Sequence, residues 1–501
     1  MKNRNPLMRI LCLLMALCMM CAVLASCAAE DETGIDPGTD ATGDGAGEEE
    51  STVEEVLTDE DGFILDGIPE DLKIDDKFSI LGWKEGQAQF YRAELGSDVV
   101  GNAVYLRNMA VEERLDVELD WTFVDGDWDD RNKFAQQIDA TSSSGMAYDA
   151  AICYNLVPYV LAVKGLVENL YGTDYIDLTA PWWPAAYMGE ALYNDTIYGL
   201  VESCAFGTLR QMTGVFFNND LIEDKNLKSP YDMVAANEWT FDNMMAMLKD
   251  TYEDRNSNGT KDANDFYGIT TGTAPKIDSW FYGMGYRFSA SDGDGNLELL
   301  ADDPEIIEYT NRLAEAFKQQ DFYPVDSKHA QMFTDERAVM YMTSVVLADS
   351  YLKKLDMNYG IVPNPKGSAE QDRYYTHLSN THDAWCVPVN VESMSNSSAV
   401  IECMASESYR KVDPVYYETN LKIRYATDEK LGEMYDLIRD SITFDFFYLF
   451  AGSFSVSPLT PLRDCCRKPE SNSWSSIWSA NSGSWEAEFD NIVTLYGGTI
   501  K

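Results

Sequence analysis

The 501-residue chain predicts an α/β protein built on a mainly parallel sheet. Between residues 77 and 163, short apolar or alternating runs trade places with segments of helical spacing, and the alternation restarts near residue 214. A hydrophobic content of 45%, with 12% aromatics, supplies a large core and excludes a disordered chain.

The elements follow in order. Lys77-Phe-Ser-Ile-Leu-Gly-Trp83 reads as a buried first strand, with order beginning near Gly62. Val104 to Leu115 carries apolar residues at helical spacing, and Val117-Glu-Leu-Asp-Trp-Thr-Phe123 alternates as a second strand. A helix over 132–142 precedes a third, buried strand, Tyr148-Asp-Ala-Ala-Ile-Cys-Tyr154; a helix from Val157 then stops at the turn Gly165. Thr196-Ile-Tyr-Gly-Leu200 is a short extended piece, and Gly214-Val-Phe-Phe-Asn-Asn-Asp220 opens a second unit. Thr240 caps a helix that runs to Lys249, with Asp242 in its first turn. Further helices are expected over 303–319 and 395–409, and strands over 338–342, 358–362 and 384–389.

Charge narrows the function classes. Lys and Arg number 38 against 84 Asp and Glu, a formal net charge of -46. That argues against a nucleic-acid partner, which needs clustered cations, and against a basic surface for anionic lipid. Three histidines leave little room for His-rich metal sites. Neither G-x-x-x-x-G-K-[ST] nor G-x-G-x-x-G occurs.

The N-terminus reads as an address. Lys2, Arg4 and Arg9 precede a 15-residue apolar run from Ile10 to Leu24, too short for a comfortable membrane span. It ends in Leu24-Ala25-Ser26-Cys27, which resembles a bacterial lipobox; the resemblance implies a signal peptide over 1–26 and lipidation of Cys27. Residues 28–61 hold fourteen Asp or Glu and no Lys or Arg, so 27–61 is expected to be a lipidated, disordered acidic tether. The chain would then meet the membrane through its lipid alone, on the outer face. Outside the signal and the anchor, the cysteines are Cys153, Cys204, Cys386, Cys403, Cys465 and Cys466. They form no CxxC pair and no zinc spacing; their pairing cannot be read, and small buried roles are expected.

The sharpest motif in the body is Asp254-Arg-Asn256-Ser-Asn258-Gly259-Thr260-Lys-Asp262-Ala-Asn-Asp265. Side-chain oxygens fall at loop positions 1, 3, 5, 9 and 12, Gly259 stands at the sharp turn, and Thr260 offers its carbonyl. Hard oxygen donors at this spacing suit a structural Ca²⁺ bound by Asp254, Asn256, Asn258, Thr260, Asp262 and Asp265. Position 12 is Asp where such loops usually carry a bidentate Glu. The later Ser291-Asp-Gly-Asp-Gly-Asn296 reads as a hairpin turn.

Several stretches together resemble the extracellular solute-binding proteins of family 1, the lipoprotein receptors of ABC importers, sugar type. They are Tyr148-Asp149 with Gly165-Leu166-Val167 and Leu170; Ile197-Tyr-Gly-Leu200; Phe216-Phe-Asn-Asn-Asp-Leu221 with Leu227, Pro230-Tyr231 and Trp239-Thr240; and Ala338-Val-Met340 with Tyr359-Gly-Ile-Val-Pro-Asn-Pro-Lys366. The likeness covers about 77 to 445 and is less clear over the last sixty residues. It implies a two-lobed periplasmic-binding-protein-like fold with a hinge and an interlobe cleft. Lobe I would take 62–198 plus about 380–415, and lobe II about 199–379 plus 416–501. It also implies a monomer that takes a carbohydrate, expected to be an oligosaccharide, and hands it to ABC permease subunits.

Sugars are held by aromatic faces on C–H patches and by planar polar groups on hydroxyls. On position at strand ends near the expected crossings, the candidate ligand residues are Trp83, Tyr154, Asn155, Arg210, Trp280, Asp383 and Trp385. Trp182-Trp183 is equally readable as ligand platform or packed turn. A different class is a lipid-anchored extracellular glycoside hydrolase, which needs two carboxylates flanking the bond. No local signature for one is present, so no catalytic residue is assigned. An adhesin or structural lipoprotein is the third reading.

Overall fold

A computed structural model describes residues 58–497, except 274, 292–295, 326 and 425–428, and the side chains of 423–424. The signal peptide, Cys27 and the tether up to residue 57 lie outside the described residues, as does the middle of the expected 291–296 turn. The last residues expected in the tether are ordered instead: Thr58 bridges Ile64 across a turn in which the Asp59 carboxylate accepts from the amides of Asp61 and Phe63. That turn is anchored by the Phe63 ring, edge-on to Tyr409, and by buried Asp66 held between Arg114 and Arg410.

The described strands are β1 (Asp76–Trp83), β2 (Val117–Val124), β3 (Ala150–Tyr154), β4 (Thr213–Asn218), β5 (Tyr267–Thr271), β6 (Ser289–Ser291), β7 (Leu297–Leu299), β8 (Phe322–Pro324), β9 (Ala338–Ser344), β10 (Tyr359–Pro363), β11 (Thr376–His377), β12 (Asp383–Cys386) and β13 (Ile442–Thr443). One sheet has the order β12-β3-β1-β2 and a second the order β10-β4-β9-β5-β8. β1 pairs in parallel with both β2 and β3, as strand–helix alternation predicts. β12 returns from the other sheet and so enters antiparallel to β3. In the second sheet β4 is antiparallel to both β9 and β10, so this sheet is mixed rather than mainly parallel. β6 and β7 pair as the arms of a hairpin.

Local chemistry explains the elements. β2 alternates buried and exposed through Val117-Glu-Leu-Asp, while β3 is buried throughout. Asp149 accepts from the Ser79 amide and hydroxyl at 2.7 and 2.8 Å, which fixes β3 beside β1. Gly165 stands at φ +66, a conformation other residues resist, and stops the preceding helix. In the second lobe the Trp239 indole donates to the Pro363 carbonyl at 2.8 Å, and Thr240 bridges Lys366. Two separate stretches of the family likeness thus meet in one joint. The Asn218 and Thr240 side chains cap the helices Asn219–Asp224 and Phe241–Met247.

The chain crosses between lobes repeatedly. Leu200 pairs with Trp385 and Met212 with Leu378, on either side of a short helix, Phe206–Gln211. The long helix Met394–Glu407 continues as π-helical turns, Ser408–Val412 and Pro414–Arg424, where Arg107 of the first lobe donates to Ser408 and Phe206 packs edge-on against Tyr416. The C-terminal segment serves both lobes: Phe450 and Phe444 pack on first-lobe Tyr159 and Tyr187, whereas the Trp474 indole donates to Ala301 of the second. All six body cysteines are buried and free; Cys465 and Cys466 face inward from the helix Leu459–Arg467.

Candidate functional site: the interlobe cleft

The carboxyl ends of β1 and β3 face the second lobe, the place where open α/β sheets bind ligands. Trp83 and Tyr154 sit there with rings edge-on, 5.6 Å between centroids. The Trp83 indole donates to Asp383 at 2.7 Å, so three of the predicted residues form one buried unit. Burial pushes the Asp383 carboxyl well above the usual carboxylate range, against the indole bond that lowers it. Gly207 of the crossing helix leaves room for this unit: a Cβ there would stand 2.6 Å from an Asp383 oxygen and 2.0 Å from the Gln89 amide oxygen. Trp385 lies one turn of the pleat further on and donates to buried Glu202 at 2.6 Å. It is part of the crossing rather than of an open wall.

Asn155 follows Tyr154 and donates its backbone N–H to the His382 carbonyl at 3.1 Å. Its side-chain oxygen has no partner, and neither do His377 Nε2 and the Tyr282 hydroxyl. All three residues line a void of about 10 Å³, enough for one water. Burial holds the His377 imidazole well below its ordinary value and draws His382 down to about 4, so both are neutral at physiological pH.

Facing these from the second lobe is a polar group that sequence reasoning missed. Asp278, fully buried, receives Arg463 through both oxygens, with Nε to Oδ1 at 2.9 Å. Tyr448 reaches Asn380 of the crossing segment and lies 3.5 Å from Asp278. The Lys276 amine donates to the Ser379 hydroxyl at 3.2 Å. The one sequence signal was Asp278 itself, a lone carboxylate inside an apolar helical stretch that needs a cation. Nothing local pointed to Arg463, 185 residues away.

Arg210 belongs to a separate and much larger cavity between the lobes. It pairs with Asp349 at 2.8 Å and lies over the Phe206 ring. Together with Arg92 and Val99 of the first lobe and Lys353 and Met357 of the second, it lines a cleft of about 1060 Å³, ample for an oligosaccharide. Trp280 is a correction. It is 0% exposed and packs between Phe241 and Phe322, at 5.6 and 6.0 Å, because its place in the helix Lys276–Gly283 turns it into the second-lobe core. Trp182 and Trp183 are a packed turn, both indoles donating to buried Glu402.

The expected calcium loop is closed at its base by the pairing of Glu253 with Phe266. Ser257 and Gly259 adopt left-handed φ values of 57 and 73. Asp254 accepts from the amides of Asn258 and Gly259, and the Asn256 and Asn258 side-chain amides both donate to Asp262, at 2.9 and 2.6 Å. Asp265 is buried and turned onto the Arg255 amide and Tyr252. Four donor side chains therefore converge, two through amide groups whose rotation presents oxygens instead. Among the described residues no cluster of three or more His, Cys, Asp or Glu is set to hold a metal.

No protein-family model matches the chain, and no curated protein sequence does. Solved structures match over most of it. A cyclo/maltodextrin-binding protein crystallised with maltotetraose is 10% identical, with a TM-score of 0.54, over 86% of this chain and 98% of that one. The cyclic α-maltosyl-1,6-maltose binding protein of Arthrobacter globiformis is 12% identical, with a TM-score of 0.55, over 84% and 99%. The galacto-N-biose/lacto-N-biose I-binding protein of an ABC transporter from Bifidobacterium longum, in complex with lacto-N-biose, is 11% identical, with a TM-score of 0.52, over 85% and 98%. The chain has the two-lobed fold of these solute-binding proteins. Among the described residues no helix is long and apolar enough to cross a membrane.

Proposed function

We propose that this protein is the extracellular receptor of an ABC importer, binding a carbohydrate, an oligosaccharide in particular, between its lobes and delivering it to the permease. The observation that carries the reading is a large cleft between the lobes, lined by Arg92 and Val99 on one side and Asp349 and Met357 on the other, in a fold shared along nearly the full length of proteins solved with oligosaccharides. The cleft has the volume for an oligosaccharide, and Arg92, Arg210, Asp349, Tyr359, Tyr416 and Asn420 supply it with the mixture of rings, charged groups and amide that holds sugars. The chain is read as a binding protein and not an enzyme, working as a monomer whose hinge closes on its ligand.

Cys27 is the proposed lipid attachment point, holding the body off the outer face of the membrane on its acidic tether. The loop 254–265 is a proposed structural Ca²⁺ site: Asp254, Asn256, Asn258 and Asp262 would turn their oxygens inward, with the Thr260 carbonyl, and Asp265 would complete the set. The ion would stiffen the loop and take no part in ligand binding.

The test is a thermal-shift screen against mono- and oligosaccharides with calcium present. A ligand that binds only the folded state at about 100 times its Kd adds about 2.7 kcal/mol. A shift with one class of glycan and no product on incubation is the expected result. Hydrolysis of the sugar, or no shift with any sugar, refutes the reading.

A further inference from the structure

The large cavity between the lobes is lined by two guanidinium groups, each already beside a carboxylate. Arg92 pairs with Asp98 at 2.5 Å, and Arg210 with Asp349 at 2.8 Å. Both cations have their counter-charge within the protein, so a ligand need not supply one. Both also keep donors free. Nη1 of each arginine makes no hydrogen bond among the described residues, and neither does Arg92 Nε. An arginine donates and never accepts, so these two select a hydrogen-bond acceptor, and no net charge is required of it. The other basic lining residues, Lys353 and Lys354, are exposed, on a stretch that also carries Asp356.

The open apolar surface of the same cavity is aliphatic. Its rings offer little face: Tyr359 and Tyr416 are buried, and Phe206 lies under the Arg210 guanidinium with Tyr416 edge-on to it. Stacking on an aromatic face, the usual hold on an unsubstituted pyranose, is restricted here. The exposed apolar side chains are Val99 of the first lobe, at 47%, and Leu355 of the second, at 44%. Val100, Leu352 and Met357, nearly buried, continue the lining. Two large aliphatic side chains held in water, one on each wall, gain by burial against a methyl-bearing guest.

We propose that the ligand is an acetylated oligosaccharide, whose acetyl oxygen accepts from the free N–H groups of Arg92 or Arg210 and whose acetyl methyl packs against Val99 and Leu355. An acetyl group joins the two properties this lining matches, an uncharged acceptor and a small apolar end; a bare hydroxyl has only the first. The inference rests on the receptor reading above and deepens it by naming the substituent.

The experiment is calorimetric titration of the full chain with matched neutral pairs. Cellotetraose is compared with tetra-N-acetylchitotetraose, which shares its backbone and differs by the acetamido groups, and xylotetraose with its O-acetylated form. Tetragalacturonate is the acidic control. A buried methyl and a charge-assisted hydrogen bond should make the acetylated member of at least one pair bind about 10 to 100 times tighter. Which pair shows the gain distinguishes an N-acetyl from an O-acetyl ligand. Leu355→Ser and Val99→Ser, at exposed positions, should each reduce that gain several-fold, and Leu355→Met should keep it. Equal affinity within both pairs, tightest binding of tetragalacturonate, or a gain untouched by both serine variants overturns the proposal and leaves the receptor reading intact. Failure of every sugar to bind overturns the receptor reading and the proposal with it.

Discussion

Replacing Arg463 by Met should cost the fold far more than any surface charge does. Asp278 is fully buried, and the guanidinium supplies both of its strong partners; without it the carboxylate keeps, among the described residues, only the Tyr448 hydroxyl at 3.5 Å and the through-space charge of Lys276. Breaking a buried pair from one side leaves a charge without its hydrogen-bonded partner and costs about 3–5 kcal/mol. Adding Asp278→Asn removes the charge and leaves an amide short of hydrogen bonds, a cost of about 1–3 kcal/mol. The double variant should therefore be more stable than Arg463→Met by roughly 2 kcal/mol, an antagonistic coupling. Urea unfolding followed by tryptophan fluorescence reads this well, because Trp239 and Trp280 both lie in the second-lobe core. With an m value near 3 kcal/mol/M, the single variant should lose about 1 to 2 M in midpoint. A loss equivalent to less than about 1 kcal/mol, or a double variant no more stable than the single, would refute the claim that this pair holds a buried charge.

Glu402 should make stability depend on pH. Burial pushes its carboxyl from the ordinary 4.5 up to about 8, so the native state keeps a proton that the unfolded state releases. Its contribution is fully present below about 4.5 and is lost as pH rises through about 8. The slope is on the order of 1 kcal/mol per pH unit, and Glu402→Gln should flatten it in unfolding curves taken from pH 5 to 8. Gly207→Val would drive a side chain into Gln89 and Asp383; a loss of about 1–3 kcal/mol and weakened ligand binding are expected by denaturation and calorimetry. Calcium should raise the unfolding midpoint of the chain, and Asp254→Ala should abolish that rise without altering sugar affinity.

Most of the lobe framework was legible because its signals are local. The first three strands lie within a few residues of where alternation and apolar runs put them, and Thr240 caps the helix it was expected to cap. The mixed second sheet was not legible, because the direction of a strand depends on where the chain re-enters, and periodicity is the same in either direction. The site was half legible for the same reason. Trp83 and Tyr154 stand out by ending strands; Trp280 lies in the core because the helix Lys276–Gly283 sets it against Phe241 and Phe322, contacts made by segments distant in sequence that no local pattern reveals. Arg463 and Tyr448 carry no pattern of their own and acquire meaning only against Asp278 and Asn380.

The distribution of polar groups across the hinge bears on how such a cleft works. The inner end holds hydrogen bonds that join the lobes and the crossing, among them Asn155 to His382, Lys276 to Ser379 and Tyr448 to Asn380. Several groups beside them have no partner among the described residues: the Asn155 oxygen, His377 Nε2 and the Tyr282 hydroxyl. Each buried orphan costs about 1–3 kcal/mol. A closed form with these atoms unsatisfied is therefore disfavoured against an open one in which water reaches them, and a ligand or a trapped water that satisfies them shifts the balance toward closure. On the proposed receptor reading, the ligand need not pull the lobes together by its own contacts alone; completing hydrogen bonds that the protein lacks would do part of the same job, and would select for ligands whose polar groups match the vacancies.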